Sequence, residues 1–85
     1  MNDLANFAAD LRRISYWTYK GQKSLAVSML KKIKELYKGI NPKIGCYENI
    51  WNEVEKIENL EGGKYKAAER ALTASVILLG SSWKT

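Results

Sequence analysis

The sequence predicts an all-α protein, a small antiparallel up-down four-helix bundle composed of two αα-hairpins. Apolar residues recur at spacings of three and four along four successive segments, which is the period of an amphipathic helix. Gly21, Gly39, Gly62 and Gly63 separate these segments, and connections this short make consecutive helices antiparallel neighbours. No segment shows the alternation of apolar and polar residues between turns that is typical of strands. The length of 85 residues suits one domain, so residues 1–85 are predicted to form a single bundle.

The first helix is predicted over residues 3–19. Asn2 or Asp3 can cap its start, and Gly21 can end it. The face that we expect to be buried is formed by residues at helical spacing. These residues are Leu4, Phe7, Ala8, Leu11, Ile14, Ser15 and Thr18.

The second helix is predicted to begin at Ser24, a good N-cap residue, and to end before Gly39. Opposite its core face, Lys31, Lys34 and Lys38 follow one another along a single line of the helix. The core face is wide and consists of Leu25, Ala26, Met29, Leu30, Ile33, Leu36 and Tyr37.

The third helix is predicted to run from Pro42, with Asn41 as its N-cap, to about Leu60. The residue before a proline is disfavoured in the α region, which suits Asn41 to a helix start. Gly45 weakens the first turn, so a start a few residues later is the alternative. The expected core residues are Ile44, Tyr47, Ile50, Trp51, Val54 and Ile57.

The fourth helix is predicted over residues 64–81. It carries one stripe of Tyr65, Ala68, Leu72, Val76 and Leu79, and beside it a second stripe of Ala67, Ala71, Ala74 and Leu78. With two apolar stripes, this helix is expected to be the most enclosed of the four. Leu72 and Val76 are expected to lie inside the bundle, with Ile77 on the opposite side.

The sequence lacks the residues that most enzymes need. It contains no histidine, the commonest general base and the commonest metal ligand. Cys46 is the single cysteine, so neither a Cys–His nucleophile nor a cysteine zinc site can be assembled. The pair Gly62–Gly63 lacks the preceding strand and the spacing of a phosphate-binding loop. We therefore expect no catalytic, metal-binding or cofactor-binding residues, no enzymatic activity, and no small-molecule substrate.

The segment RRISYWTYKGQK places aromatic and basic side chains at the end of the first helix. On a helical wheel, Arg13, Tyr16, Trp17 and Lys20 point away from the predicted core. Tyrosine, tryptophan and arginine are enriched at binding hot spots. We therefore predict that these four residues, with Trp83, form a contact surface for a protein partner or for a second copy of the chain. The alternative is that the helix bends at its end and folds Trp17 onto the bundle.

The formal net charge of +5 favours acidic partners. Residues 21–40 carry five lysines and one glutamate, whereas residues 41–61 carry two lysines and five glutamates. A basic second helix of one chain could therefore pack on the acidic third helix of another, which is a second route to a homodimer. As an alternative function, Lys31, Lys34 and Lys38 are predicted to bind the phosphates of nucleic acid without sequence specificity.

A further alternative is an accessory or immunity-type role at an anionic membrane surface. The bacteriocin-immunity proteins are similar in size, helical shape and basic charge. The longest mostly apolar stretch, residues 71–80, would span about 15 Å as a helix, roughly half of a bilayer core. The first residues lack the basic segment and apolar run of a signal peptide, and a single cysteine cannot form an intrachain disulfide. We therefore predict a cytoplasmic protein.

Overall fold

The structure is a computed structural model that describes residues 3–40 and 49–82. Within these residues the chain forms four α-helices: α1 (Asp3–Tyr19), α2 (Lys23–Leu36), α3 (Ile50–Glu58) and α4 (Lys64–Ser82). α1 packs most extensively on α4 and also contacts α2, α3 packs on α4, and α2 and α3 meet only slightly. The described residues contain no β-strand. The predicted all-α four-helix bundle is confirmed.

The end of α1 lies where the sequence predicts it and is set by Gly21, which has a φ of +78°. The amide of Gly21 donates to the carbonyl of Thr18 at 3.1 Å, and the amide of Gln22 donates to the carbonyl of Trp17 at 2.8 Å. This pair of bonds is the Schellman motif, which ends a helix at a residue in the left-handed conformation. Glycine adopts that conformation without steric cost.

α2 begins slightly earlier than predicted. Its first residue is Lys23, and Gln22 occupies the N-cap position without a side-chain hydrogen bond to the helix. Ser24, the predicted N-cap, therefore lies inside the first turn. The reason is the Schellman motif, which turns the chain within two residues so that the next helix can begin at once.

α3 begins later than predicted. Asn49 has an extended backbone (φ −90°, ψ 169°), and its Oδ1 atom accepts hydrogen bonds from the amides of Trp51 and Asn52 at 3.0 and 3.1 Å. This is the N-cap arrangement, and the extended backbone prevents a helix from continuing through residue 49. One continuous helix over residues 42–60 is therefore wrong. The predicted cap Asn41 lies outside the described residues.

α3 ends in the same hydrogen-bonding pattern as α1, but with a leucine at the position that glycine usually occupies. The amides of Leu60 and Glu61 donate to the carbonyls of Ile57 and Lys56, each at 3.1 Å. Leu60 accordingly has a φ of +51°. The left-handed conformation costs a residue with a Cβ atom about 1–2 kcal/mol. The connection to α4 therefore starts from a strained residue.

The core centres on Phe7 of α1. Its ring stacks on Tyr37 with centroids 4.7 Å apart, and its centroid lies 5.3 Å from that of Trp51. The indole Nε1 of Trp51 donates to the carbonyl of Ile40 at 2.6 Å, which joins α3 to the residues that follow α2. The largest aliphatic side chains that are fully buried come from all four helices: Leu11, Ile14, Ile33, Ile50, Val54, Ile57 and Leu78.

A buried carboxylate also joins α1 to the end of α2. Oδ2 of Asp10 accepts a hydrogen bond from the Tyr37 hydroxyl, and Oδ1 accepts one from Nη1 of Arg13, both at 3.0 Å. Burial raises the pKa of Tyr37 to about 12, and the hydrogen bond to Asp10 and the charge of Asp10 act in the same direction. The predicted core face of α1 does not include Asp10, because a carboxylate is rarely buried without partners.

α4 buries only one of its two predicted apolar stripes, the stripe of Ala67, Ala71, Ala74 and Leu78. Leu72 and Val76 are 45% and 57% exposed, so the prediction that they lie inside the bundle is wrong. Ile77, expected on the opposite side, is half-buried. The buried face of α4 consists of Ala67, Ala68, Ala71, Ala74, Ser75 and Leu78.

Small side chains explain this orientation of α4. A face made mostly of alanine allows the backbones of α1 and α4 to approach closely, and the Ser15 hydroxyl reaches across to donate to the carbonyl of Ala68 at 2.7 Å. The larger side chains of the neighbouring stripe would hold the two helices apart. They therefore remain outside, and α4 is not the enclosed helix that the sequence predicts.

Two leucines of α4 test this orientation. Leu78→Ala should lower the free energy of unfolding by about 2–5 kcal/mol, because it removes a fully buried side chain. Leu72→Ala should change it by less than about 0.5 kcal/mol, because Leu72 is exposed and alanine is a good helix former. Urea denaturation followed by circular dichroism measures both. Equal losses at the two positions would contradict the orientation of α4.

Tyr37→Phe tests the buried carboxylate. At neutral pH it should lower the free energy of unfolding by about 1–3 kcal/mol, because Asp10 loses a hydrogen-bond donor. The folded-state pKa of Tyr37, about 12, lies above the ordinary value of 10.0, so the unfolded chain releases the proton first. The stabilisation by the hydroxyl is therefore complete below pH 10.0 and is lost as the pH rises toward 12.

The measurement is the difference in unfolding free energy between the wild type and Tyr37→Phe along a pH series. Taking the difference cancels the titration of the lysines and the other tyrosines. A difference that stays constant from neutral pH to above pH 11 would contradict the raised pKa of Tyr37.

Candidate protein-binding surface

The predicted contact residues of α1 are used in different ways. Tyr16 and Lys20 are exposed, and Nζ of Lys20 lies 5.8 Å from the centre of the Tyr16 ring. Arg13 is also exposed, but its guanidinium group forms an ion pair with Asp10 at 3.0 Å. Tyr16 and Lys20 thus face solvent as a pair, whereas Arg13 helps to neutralise a carboxylate of the bundle.

Of the two tryptophans of the predicted surface, the structure describes Trp17. Trp17 is half-buried, although α1 remains helical through Tyr19, so a bend of the helix is not what covers the indole. Trp83 lies outside the described residues. The exposed part of the predicted contact surface therefore consists mainly of tyrosine and lysine side chains.

Two further tyrosines and a lysine extend this surface, and the sequence does not predict them there. Tyr19 and Tyr65 are exposed, and their rings meet edge to face with centroids 5.3 Å apart. Nζ of Lys64 lies 5.2 Å from the centre of the Tyr65 ring. We call Tyr16, Tyr19, Lys20, Lys64 and Tyr65 the aromatic–lysine cluster. It joins the C-terminal end of α1 to the N-terminal end of α4.

An exposed apolar stripe continues from this cluster along α4. Leu72, Val76 and Leu79 are all exposed, and we call them the apolar stripe. Tyr65, Leu72 and Leu79 are spaced by seven residues, about two turns, so they lie on one side of the helix. A repeat of seven is also the spacing through which helices pack on one another in coiled coils.

The antiparallel alignment of α1 and α4 places the cluster and the stripe on one surface. Ser15 lies opposite Ala68, and one turn further along α1 the ring of Tyr19 meets Tyr65. Arg12 precedes Tyr16 and Tyr19 by four and seven residues, so it lies on the same side of α1 as these two tyrosines. We call the combined surface of the aromatic–lysine cluster, the apolar stripe and Arg12 the α1–α4 face.

The charge on the α1–α4 face is mainly positive. Arg12, Lys20 and Lys64 are exposed on it, and Glu69 is an exposed carboxylate on the same side of α4. Two of the lysine ammonium groups lie beside tyrosine rings, where the cation is attracted by the face of the ring. The face thus combines apolar area with positive charge, which suits an apolar and acidic partner.

The three lysines predicted along one line of the second helix lie away from the α1–α4 face. Lys31 and Lys34 belong to α2, whereas Lys38 follows the end of α2 at Leu36. Nζ of Lys34 lies 2.6 and 2.7 Å from the two carboxylate oxygens of Glu58 on α3. Lys31 and Lys38 are exposed. The basic second helix and the acidic third helix of the sequence are therefore neighbours in one chain, and part of their opposite charge is neutralised there.

Other kinds of site are less well supported in the part of the chain that the structure describes. It contains no group of three or more histidine, cysteine, aspartate or glutamate side chains arranged to hold a metal ion. None of the described helices is both long and apolar enough to cross a membrane. Comparison of the chain with family models, with curated proteins and with solved structures found no match.

A double-mutant cycle tests the ion pair between α2 and α3. The variants Lys34→Gln and Glu58→Gln should show a coupling free energy of about 0.2–1 kcal/mol, because both side chains are partly exposed to solvent. The coupling should decrease when the sodium chloride concentration rises from about 0.05 M to about 1 M. Unfolding free energies from urea denaturation give the coupling, and a value of zero at low salt would contradict the pair.

Proposed function

We propose that this protein is a non-enzymatic binding module whose α1–α4 face holds an amphipathic helix of a partner protein, and that acidic residues flank the apolar side of that helix. The observation that carries the proposal is the apolar stripe, because Leu72, Val76 and Leu79 are exposed along one side of α4. An exposed contiguous apolar patch on a small protein is typical of an interaction site. Partner helices bind such surfaces through anchors three, four and seven residues apart.

The aromatic–lysine cluster indicates how the partner helix is placed on the α1–α4 face. Tyr19 and Tyr65 offer large, rigid contact surfaces with few rotatable bonds. Lys20 and Lys64 stand beside tyrosine rings, so a carboxylate could contact an ammonium group while the chain that carries it packs on a ring. Acidic residues that flank the apolar side of the partner helix therefore lie at the cluster, and the apolar side itself lies on the stripe.

The charge of the protein favours a different protein over a second copy as the occupant. Two copies joined through this face would bring together two sets of Arg12, Lys20 and Lys64 against only one carboxylate, Glu69, in each set, and each chain carries a net charge of +5. Like charges brought together at an interface disfavour association. A homodimer that pairs α2 of one chain with α3 of another has less support, because Lys34 and Glu58 already pair within the chain.

The other functions predicted from the sequence have weaker support and stay predictions. Nucleic-acid binding would rely on Lys31, Lys34 and Lys38, and Lys34 is engaged by Glu58. Binding to an anionic membrane surface would draw on the same positive charge as the proposed partner does. The cytoplasmic location inferred from the sequence is part of the proposal.

Two labelled helical peptides of about 18 residues, about five turns, test the proposal. They share the same apolar side, and their flanking positions are glutamate in one and lysine in the other. The acidic peptide should bind measurably and the basic peptide should not, as followed by fluorescence polarisation. Leu72→Gln/Val76→Gln should weaken binding of the acidic peptide about tenfold or more, which corresponds to a loss of about 1.4 kcal/mol.

Leu36→Gln is the matched control. Leu36 on α2 is 58% exposed, which is close to the 57% of Val76, and it lies outside the α1–α4 face. This variant should bind the acidic peptide as tightly as the wild type does. Equal binding of both peptides, or no loss in the double variant, would overturn the proposal. Sedimentation that shows a wild-type dimer dispersed by the double variant would instead make a second copy the occupant.

A further inference from the structure

An apolar pocket of about 210 Å³ opens at the end of the bundle where α1 and α3 finish and where α2 and α4 begin. Ala26, Val27 and Leu30 of α2 form one side of it, and Ile57 and Leu60 form the other. The pocket is lined from both α2 and α3, which meet only slightly. An aliphatic cavity of roughly 150 Å³ can hold a benzene molecule, so this pocket has room for one ring or a short alkyl chain.

One wall of the pocket depends on the strained residue Leu60. Its φ of +51° would suit glycine, which ends helices in this motif without strain. The side chain of Leu60 is 38% exposed, so burial in the core does not account for a leucine here. Strain that persists without a folding reason points to a function of the strained residue. The contribution of Leu60 to the pocket wall supplies such a function.

The mouth of the pocket is positively charged. Lys23 and Lys64 line it, and Nζ of Lys64 lies 3.7 Å from the position that a Cβ atom would have on Gly21, also at the pocket. Glu58 lines the pocket as well, but Lys34 contacts both of its carboxylate oxygens. The charges of Lys23 and Lys64 are therefore the ones available to a ligand.

We infer that this pocket binds a small amphipathic carboxylate, namely a free medium-chain fatty carboxylate. The alkyl chain contacts the aliphatic walls, and the carboxylate lies between the ammonium groups of Lys23 and Lys64. Lysine recognises an anion through its charge and adapts to its position, which suits a flexible ligand at an open mouth. The inference does not rest on the proposed helix-binding function, because the apolar stripe is not part of the pocket.

The test is a titration of the isotope-labelled full chain with octanoate, followed by ¹H–¹⁵N NMR well below the micelle concentration. Saturable shifts should appear at the amides around the pocket, including those of Val27 and Leu60. Acetate has the charge without the chain, and octylammonium has the chain with the opposite charge. Both should bind about tenfold more weakly than octanoate, because each lacks one of the two contributions.

Charge variants test the mouth of the pocket. Lys23→Gln/Lys64→Gln should weaken octanoate binding by roughly threefold to tenfold, since each exposed ammonium group contributes modestly. The double variant Lys31→Gln/Lys38→Gln removes the same amount of charge. Both lysines are exposed, one on α2 and one just after it, and neither lines the pocket. This control should bind octanoate as the wild type does.

Leu60→Gly tests the wall. Glycine accepts the left-handed backbone, so the variant should fold, and it should bind octanoate about tenfold more weakly than the wild type because a wall of the pocket is gone. The inference is overturned by shifts that do not saturate, by equal binding of octylammonium, or by equal losses in the two lysine pairs. Unchanged affinity in folded Leu60→Gly would also overturn it.

Discussion

The close packing of α1 on the small-residue face of α4 determines the rest of the structure. The hydroxyl of Ser15 can reach the carbonyl of Ala68 at 2.7 Å only because alanines line this contact. Once these two faces are joined, Leu72 and Val76 must turn outward, and Tyr19 must meet Tyr65. The exposed surface of the protein is therefore a consequence of how its most extensive helix contact is made. A bulky residue in the alanine face would rotate α4 and change both the core and the surface.

The remaining helices are held to this pair by a few specific contacts. The carboxylate of Asp10 accepts a hydrogen bond from the Tyr37 hydroxyl, which holds the end of α2 against α1. The Phe7 ring stacks on Tyr37 and lies near Trp51 of α3. α2 and α3 have little direct contact with each other. The exposed ion pair of Lys34 with Glu58 joins them but cannot close the space between them. This slight contact leaves an open pocket lined by residues of α2 and by Ile57 and Glu58 of α3.

The sequence was sufficient to predict α1 but not the orientation of α4. α1 has one apolar face, and Gly21 after it can adopt the left-handed conformation. Its bounds and most of its buried residues therefore follow from periodicity and capping, whereas the buried Asp10 does not. α4 has two adjacent apolar stripes, and periodicity alone cannot choose between them. The choice depends on the distance between helices, which the alanines set and which local sequence does not reveal. The same limit applies to the candidate surface: the exposure of Tyr16 and Lys20 could be read from a wheel, whereas the meeting of Tyr19 with Tyr65 depends on tertiary alignment.

The helix ends bring the two proposed binding regions together. Schellman motifs end both α1 and α3, and the residues that follow them, with the first residues of α2 and α4, all lie at one end of the bundle. Lys64 stands between the regions: its ammonium group is 5.2 Å from the centre of the Tyr65 ring on the α1–α4 face, and the same residue lines the pocket. A charge bound in the pocket would therefore reduce the positive potential at the aromatic–lysine cluster, since two charges this close interact even in partly exposed surroundings. Through Lys64, a ligand in the pocket would weaken the attraction of the α1–α4 face for an acidic helix.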